Sequence, residues 1–330
     1  MILDNLLPKV SIVIPVYNGS DFLAHAIDSA LSQTYNNIEI LVINDGSNDD
    51  GTTERVATSY GDKIRYFSKP NGGVASALNM GISKMRGEYF SWLSHDDLYT
   101  KDKIEKEINA LSVIGQEKVI IYSNYVMFTK DQENCTPIYL KGVSAENFRY
   151  WLTVENKLHG CTLLIPKTAF EKVGNFNENM RATQDYDLWF RMAKEFKFVH
   201  ISELLIKSRS HAGQGIYKMP DIVLKECNNL YTNFILDLQP QEILLASGKP
   251  LWEGYIEIAS SLFNRGYNEA GQLADRLARE NNPHSYIVMW ISSNVKYLIN
   301  KFIFTTKRLL PSKIKNWIKK MKSVNRRNHN

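Results

Sequence analysis

Cysteine is scarce in this chain of 330 residues, which holds only Cys135, Cys161 and Cys227. Their scatter excludes a disulfide framework and a CxxC metal site, and it fits a reducing compartment. Neither GxGxxG nor GxxxxGK[ST] occurs, so neither a Rossmann pyrophosphate turn nor a P-loop is supported. Met1 to Lys9 lacks a charged segment followed by a long apolar core, so no secretory signal is expected. Tyr286 to Phe304 is apolar but interrupted by Lys296 and Lys301, which leaves too short a run to span a bilayer. Acidic residues are absent from Asn281 to Asn330, where eleven Lys and Arg fall. The first 280 residues hold 29 basic against 35 acidic side chains, so the net charge of +5 belongs to the tail. A nucleic-acid-coating surface is therefore not indicated.

What is present reads as an ordinary globular protein, with 44% hydrophobic and 23% charged residues. The length accommodates one large domain, 1–217, and a smaller helical region, 218–330. Apolar β-rich runs at Val10 to Tyr17, Ile38 to Ile43, Lys63 to Phe67 and Tyr89 to Ser94 alternate with helical patterns at Asp21 to Leu31, Gly51 to Tyr60 and Val74 to Lys84. This βαβα order with short connections predicts an α/β fold, a mainly parallel sheet with helices on both faces. Polar residues recur at the carboxyl ends of those strands: Tyr17 and Asn18, Asp45, Lys69 to Gly73, then Asp96 and Asp97. Open α/β sheets bind ligands along such a rim.

Asp96 and Asp97 need an explanation, because adjacent carboxylates repel unless a cation or several donors satisfy them. Leu98 to Leu111 reads as a helix that either aspartate could cap. Asp45 could likewise close an Asx turn, and His95 could be a surface or capping residue.

The ordered set Val10-Ser-Ile-Val-Ile-Pro-Val-Tyr-Asn18, Glu39-Ile-Leu-Val-Ile-Asn-Asp-Gly-Ser47, Asn71-Gly-Gly-Val-Ala75 and His95-Asp-Asp97 resembles the family 2 glycosyltransferases, which have a GT-A fold. The match covers about the first hundred residues and resumes at Gly174 to Met192 and around His211. The resemblance implies a nucleotide-sugar donor site with Tyr17 against the base, the Asp45 carboxylate accepting from a base nitrogen, and Asp96 on the ribose. Pro15, Asn18, Asn71 and Gly72 complete that donor-binding set. Asp97 would bind a divalent ion, Mg²⁺ or Mn²⁺, bridging the diphosphate. Ser94 stands where the family often has a further Asp.

Arg181-Ala-Thr-Gln-Asp185-Tyr-Asp-Leu-Trp-Phe-Arg-Met192 carries Leu188, Trp189 and Met192 at helical spacing, with Asp185 in the first turn. An acidic residue there complements the helix dipole. The resemblance makes Asp185 the general base of an inverting transfer, with Gln184 in place of the family's usual Glu. Arg209 and His211 match the family's Arg-x-His, which implies that His211 is a metal or phosphate ligand. A glycosidase also uses two carboxylates, but a diphosphate leaving group needs no acid to protonate it.

From Met219 helices replace the alternation. Leu251 to Ala274 has a tetratricopeptide-like hairpin pattern, and a single repeat suits packing better than peptide binding. Beyond it, Ile303, Phe304, Leu309, Leu310, Ile314, Trp317, Ile318 and Met321 interleave with lysines, a pattern expected of a basic amphipathic anchor on anionic lipid. These readings predict a metal-dependent inverting glycosyltransferase at the cytoplasmic face of the plasma membrane. It would move a sugar from a UDP-linked donor to a glycan or lipid-linked acceptor in surface polysaccharide synthesis. The alternatives are a nucleotidyl or sugar-phosphate transferase and a non-catalytic nucleotide-sugar-binding partner.

Overall fold

A computed structural model describes residues 7–115, 118–129, 135–211 and 219–282. The amphipathic tail, the apolar stretch from Tyr286 and the expected boundary at 217/218 lie outside these residues or at their margin.

Strands β1 (Val10–Val16), β2 (Ile38–Asn44), β3 (Arg65–Ser68) and β4 (Tyr89–Trp92) pair in parallel in the order β3-β2-β1-β4. All seven residues of β1 are buried. Such continuous burial is what the unbroken Val/Ile runs predict for a strand covered on both faces. Between these strands run α1 (Ser20–Leu31), α2 (Thr52–Thr58) and α3 (Val74–Lys84). Gly81 of α3 lies so close to β1 that a Cβ built there would come within 2.3 Å of the Val13 side chain.

Five more strands extend the sheet: β5 (Leu98–Tyr99), β6 (Val119–Phe128), β7 (Cys135–Ile138), β8 (Leu163–Pro166) and β9 (Lys197–Arg209). The order continues β4-β8-β6-β9-β5, and β7 flanks β6. β8 runs antiparallel to both β4 and β6, while β6 and β9 are parallel. The reversal matters for the site. It brings the residues that precede β8 beside those that follow β4.

One expected boundary shifts. Leu98 and Tyr99 do not open a helix; they form β5, pairing with Lys207 and Ile206 of β9. Tertiary hydrogen bonds fix this: Thr100 N–H donates to the Leu205 carbonyl, and the Tyr99 hydroxyl donates to the Trp92 carbonyl. Helix α4 (Lys103–Ile114) therefore starts later, with Asp102 at its N-cap position. Neither Asp96 nor Asp97 caps it, so the capping account of the pair fails.

Helices α5 (Phe148–Val154), α6 (Lys167–Val173) and α7 (Gln184–Met192) cover the second half of the sheet. The C-terminal helices are α8 (Pro220–Asp237), α9 (Pro240–Ser247), α10 (Leu251–Asn264) and α11 (Asn268–Asn281). They pack directly on α5 and α7. The Phe190 and Phe234 rings stack 3.7 Å apart, and Arg149 lies over Phe190 while pairing with Asp237 and with Glu242 at 2.7 Å. Among the described residues no helix is long and apolar enough to cross a membrane.

Candidate active site

The first part of the rim is built by the ends of β1 and β2. Asn18 adopts φ +48°, a left-handed conformation that Asn tolerates. From there its side chain ties two loops together, donating to Asn48 Oδ1 at 2.7 Å and accepting from Asn48 N–H at 2.9 Å. Tyr17 beside it is 45% exposed, free to meet a planar ligand. Pro15 is buried in β1 opposite Ile43.

Asp45 is buried, and its carboxylate holds the next loop. It accepts from Gly72 N–H at 3.0 Å, Gly73 N–H at 2.7 Å and Lys69 Nζ at 2.8 Å. Asn71 Nδ2 donates to the Asp45 carbonyl at 2.8 Å. Asp45, Asn71 and Gly72 thus form one unit, as the sequence grouped them. Gly46 permits that approach: its φ is +71°, and a Cβ there would lie 2.6 Å from Asn71 N.

The paired aspartates occupy different environments. The Asp97 side chain is 3% exposed; Oδ1 accepts from Arg209 N–H at 2.8 Å, and Oδ2 faces Cys161 Sγ at 3.6 Å. Burial, and then the charge of Asp96, pushes Asp97 above the usual carboxylate range. The more accessible Asp96 carboxylate meets His211 Nε2 at 2.9 Å. The structure therefore brings His211 to Asp96 rather than to Asp97. Arg209 holds this corner by donating from Nε to the Asp96 carbonyl at 3.0 Å, its guanidinium lying between the Phe22 and Phe128 rings. His95 is no free surface residue: burial lowers its pKa, and its ring fills the space beside Gly19.

A residue that the sequence did not single out stands at the centre. His159 precedes β8 and reaches Asp97 Oδ2 at 3.5 Å and Ser208 Oγ at 3.2 Å through Nε2, while Nδ1 accepts from Cys161 N–H at 3.3 Å. Burial lowers its pKa, and with Nδ1 accepting from Cys161 N–H, Nε2 is the nitrogen placed to donate. Gly160 next to it packs on Trp92, where a Cβ would come within 2.4 Å of the ring. No motif marks His-Gly-Cys as functional; only the reversed β8 delivers it to the rim.

Asp185 lies in the first turn of α7, its Oδ1 accepting from Tyr186 N–H at 2.8 Å. Burial pushes its pKa up to about 6, against the opposing effects of backbone N–H groups and of His159 nearby. Gln184 is buried as well. A glutamate there would add a second desolvated charge. The Tyr186 hydroxyl bonds the Leu158 backbone, accepting from N–H at 3.1 Å, and so ties α7 to the His159 loop.

Asp97, His159 and Cys161 offer ligand atoms within 4.8 Å of one another, a group able to hold a metal ion. The donor chemistry is uneven. Burial raises the Cys161 pKa well above that of a free thiol, which suits a packed thiol better than a thiolate ligand. Asp96 and His211 supply one oxygen and one nitrogen with side-chain exposures of 12% and 17%, ligand atoms that are harder and more accessible than the Cys161 thiol.

The sequence profile of glycosyl transferase family 2 matches residues 11–174. An uncharacterized glycosyltransferase of Rickettsia typhi is 42% identical over 318 residues, which are 95% of this chain and 97% of that protein. The chain belongs to the family 2 glycosyltransferases. It spans only 46% of the length of a Rickettsia felis glycosyltransferase to which it is 44% identical over 83% of its own length. The fold of this glycosyltransferase is similar to that of S. aureus TarS residues 1-349 in complex with UDP-GlcNAc, with a TM-score of 0.58 at 14% identity, covering 82% of this chain and 92% of that one. It is also similar to a mannosyltransferase from Pyrobaculum calidifontis in complex with GDP-Man and Mn²⁺, with a TM-score of 0.55 at 15% identity, covering 88% and 81%. The mixed α/β architecture with C-terminal helices is therefore of the GT-A type.

Proposed function

We propose that this glycosyltransferase inverts the anomeric centre of a UDP-linked sugar while moving it to a hydroxyl of a glycan or lipid-linked acceptor. The observation that carries the reading is the position of His159. It touches Asp97 on the donor side and lies close enough to Asp185 to affect that group's ionisation. That proximity supports a leaving-group side and a base side in one site, although the two carboxylates are nearly ninety residues apart.

Asp185 takes the acceptor hydroxyl proton as that oxygen attacks the anomeric carbon. The bond from that carbon to the diphosphate breaks, and its electron pair leaves on the phosphate oxygen. Asp45 holds the loop of Asn71 and Gly72 against the nucleotide, and Tyr17 offers its exposed ring to the base. Asp96 and His211 are the residues we assign to hold the divalent ion. This moves the metal-binding role expected for Asp97 to Asp96, and its support is the 2.9 Å contact of His211 with Asp96 and the engagement of Asp97 by the Arg209 backbone. When bound, the ion supplies Lewis-acid stabilisation of the leaving diphosphate. The basic, amphipathic composition of the tail supports a peripheral place on anionic lipid at the cytoplasmic face, where polysaccharide precursors would be the acceptors.

The test compares wild type, Asp185→Asn and Asp96→Ala for transfer and donor hydrolysis with UDP-, GDP- and dTDP-sugars plus Mn²⁺. Asp185→Asn should lose about 10²- to 10⁴-fold in turnover while still binding nucleotide. Transfer at the wild-type rate by that variant would remove the base. Nucleotide binding by wild type without turnover would favour a non-catalytic nucleotide-sugar-binding partner instead.

A further inference from the structure

The segment before Asp185 is held by a side chain from outside the family-matched region. Thr183 occupies the N-cap position of α7 but makes no capping bond of its own. Its hydroxyl instead donates to Glu226 Oε2 at 3.2 Å. The same carboxylate accepts from Arg181 N–H at 2.8 Å and Ala182 N–H at 2.9 Å. Three donors in consecutive residues thus converge on one anion, which also lies at the positive end of the α7 dipole. The strap reaches the donor side too, since the Arg181 guanidinium lies over Gly73, 3.7 Å from where a Cβ would stand. Gly73 N–H is one of the donors to Asp45.

We propose that Glu226, on α8, is a positioning residue that sets the place of the Asp185 carboxylate by anchoring residues 181–183. This rests on the reading of Asp185 as the base. The first N–H groups of a helix have no intrahelical partner, and for the residues just ahead of α7 the acceptor is the Glu226 carboxylate. Without the anchor the first turn of α7 frays, and the base leaves its line with the acceptor hydroxyl. A displacement of about 1 Å is enough to cost on the order of 100-fold in rate.

The experiment uses the full chain as wild type, Glu226→Ala, Glu226→Gln, Asp185→Asn and the double variant Asp185→Asn with Glu226→Ala. Donor hydrolysis with the same sugar-nucleotide panel gives turnover, calorimetry with UDP and Mn²⁺ gives affinity, and amide exchange reports residues 181–187. Glu226→Ala should lose about 10- to 100-fold in turnover, a larger change than in its UDP affinity. Glu226→Gln, which keeps one accepting oxygen, should lose less and serves if the alanine variant does not fold. In the Asp185→Asn background the Glu226 change should add less than about twofold, because residues acting as a unit are non-additive. Amide exchange across 181–187 should quicken in either Glu226 variant, with or without measurable turnover. Unchanged exchange, wild-type turnover in Glu226→Ala, or an equal loss in the Asp185→Asn background would each overturn the proposal. Wild-type turnover in Asp185→Asn alone would instead overturn the base assignment.

Discussion

Asp185 is a carboxylate whose surroundings raise its proton affinity into the range useful for a base at neutral pH. Burial is the main cause, and it lifts the pKa to about 6 from the ordinary 3.8. A base must be ionised to act, so turnover should fall as pH drops through about 6, a limb that a pH–rate profile of kcat would record. The sign for stability is opposite: the folded form binds the proton more tightly, so this group's contribution declines as pH rises from 3.8 through about 6. At this scale the sequence was informative where a residue punctuates a strand. Asp45, Asn71, Gly72, Asp96 and His211 all reach the rim. It was silent on His159 because an imidazole before an antiparallel strand has no spacing rule to mark it. The resemblance divided Asp96 from Asp97 as ribose and metal ligands, and no local pattern could weigh that division, since their environments depend on Arg209 and His211 arriving from another part of the chain.

Helix α4 shows what a single element conceals. Lys103 and Glu107 are wholly buried one turn apart, with Nζ 2.7 Å from Oε2 and lying 4.5 Å from the Tyr99 ring centroid. Desolvation lowers the lysine pKa and raises that of the glutamate, and their mutual attraction opposes both shifts. Lys103→Ala should destabilise the protein by about 3–5 kcal/mol, because it strands a buried carboxylate. Lys103→Met with Glu107→Leu should recover most of that loss, as urea unfolding of the two variants would show. In the sequence this pair looks like a solvated i,i+4 contact. Periodicity located the helix, but its start was placed early because β5 is only two residues long and exists through its pairing with β9. Local pattern does not register a strand held by distant partners.

Over the whole molecule, the C-terminal helices brace the elements that carry Asp185. Within α8, Glu226 anchors the segment before α7, while Asn228 Oδ1 accepts from Glu269 N–H at 3.0 Å and Ala270 N–H at 3.2 Å at the start of α11. The change from alternating strands to helices was legible from about Met219. That those helices cap others in trans was not, because such a bond leaves no mark near either partner. For the tail, the expected outcome is sedimentation of the full chain with anionic vesicles and loss of that binding in a chain ending near Asn282. Equal binding by both would remove the lipid anchor.

The reversed strand β8 has a consequence for how the protein can diversify. The loops after β1, β2, β3 and β4 leave the sheet from strands running one way, whereas the His159 loop enters from α5 in the opposite sense. Insertions ahead of β8 therefore change the surroundings of His159 and Asp97 without altering the lengths of the loops that follow β1, β2 and β3.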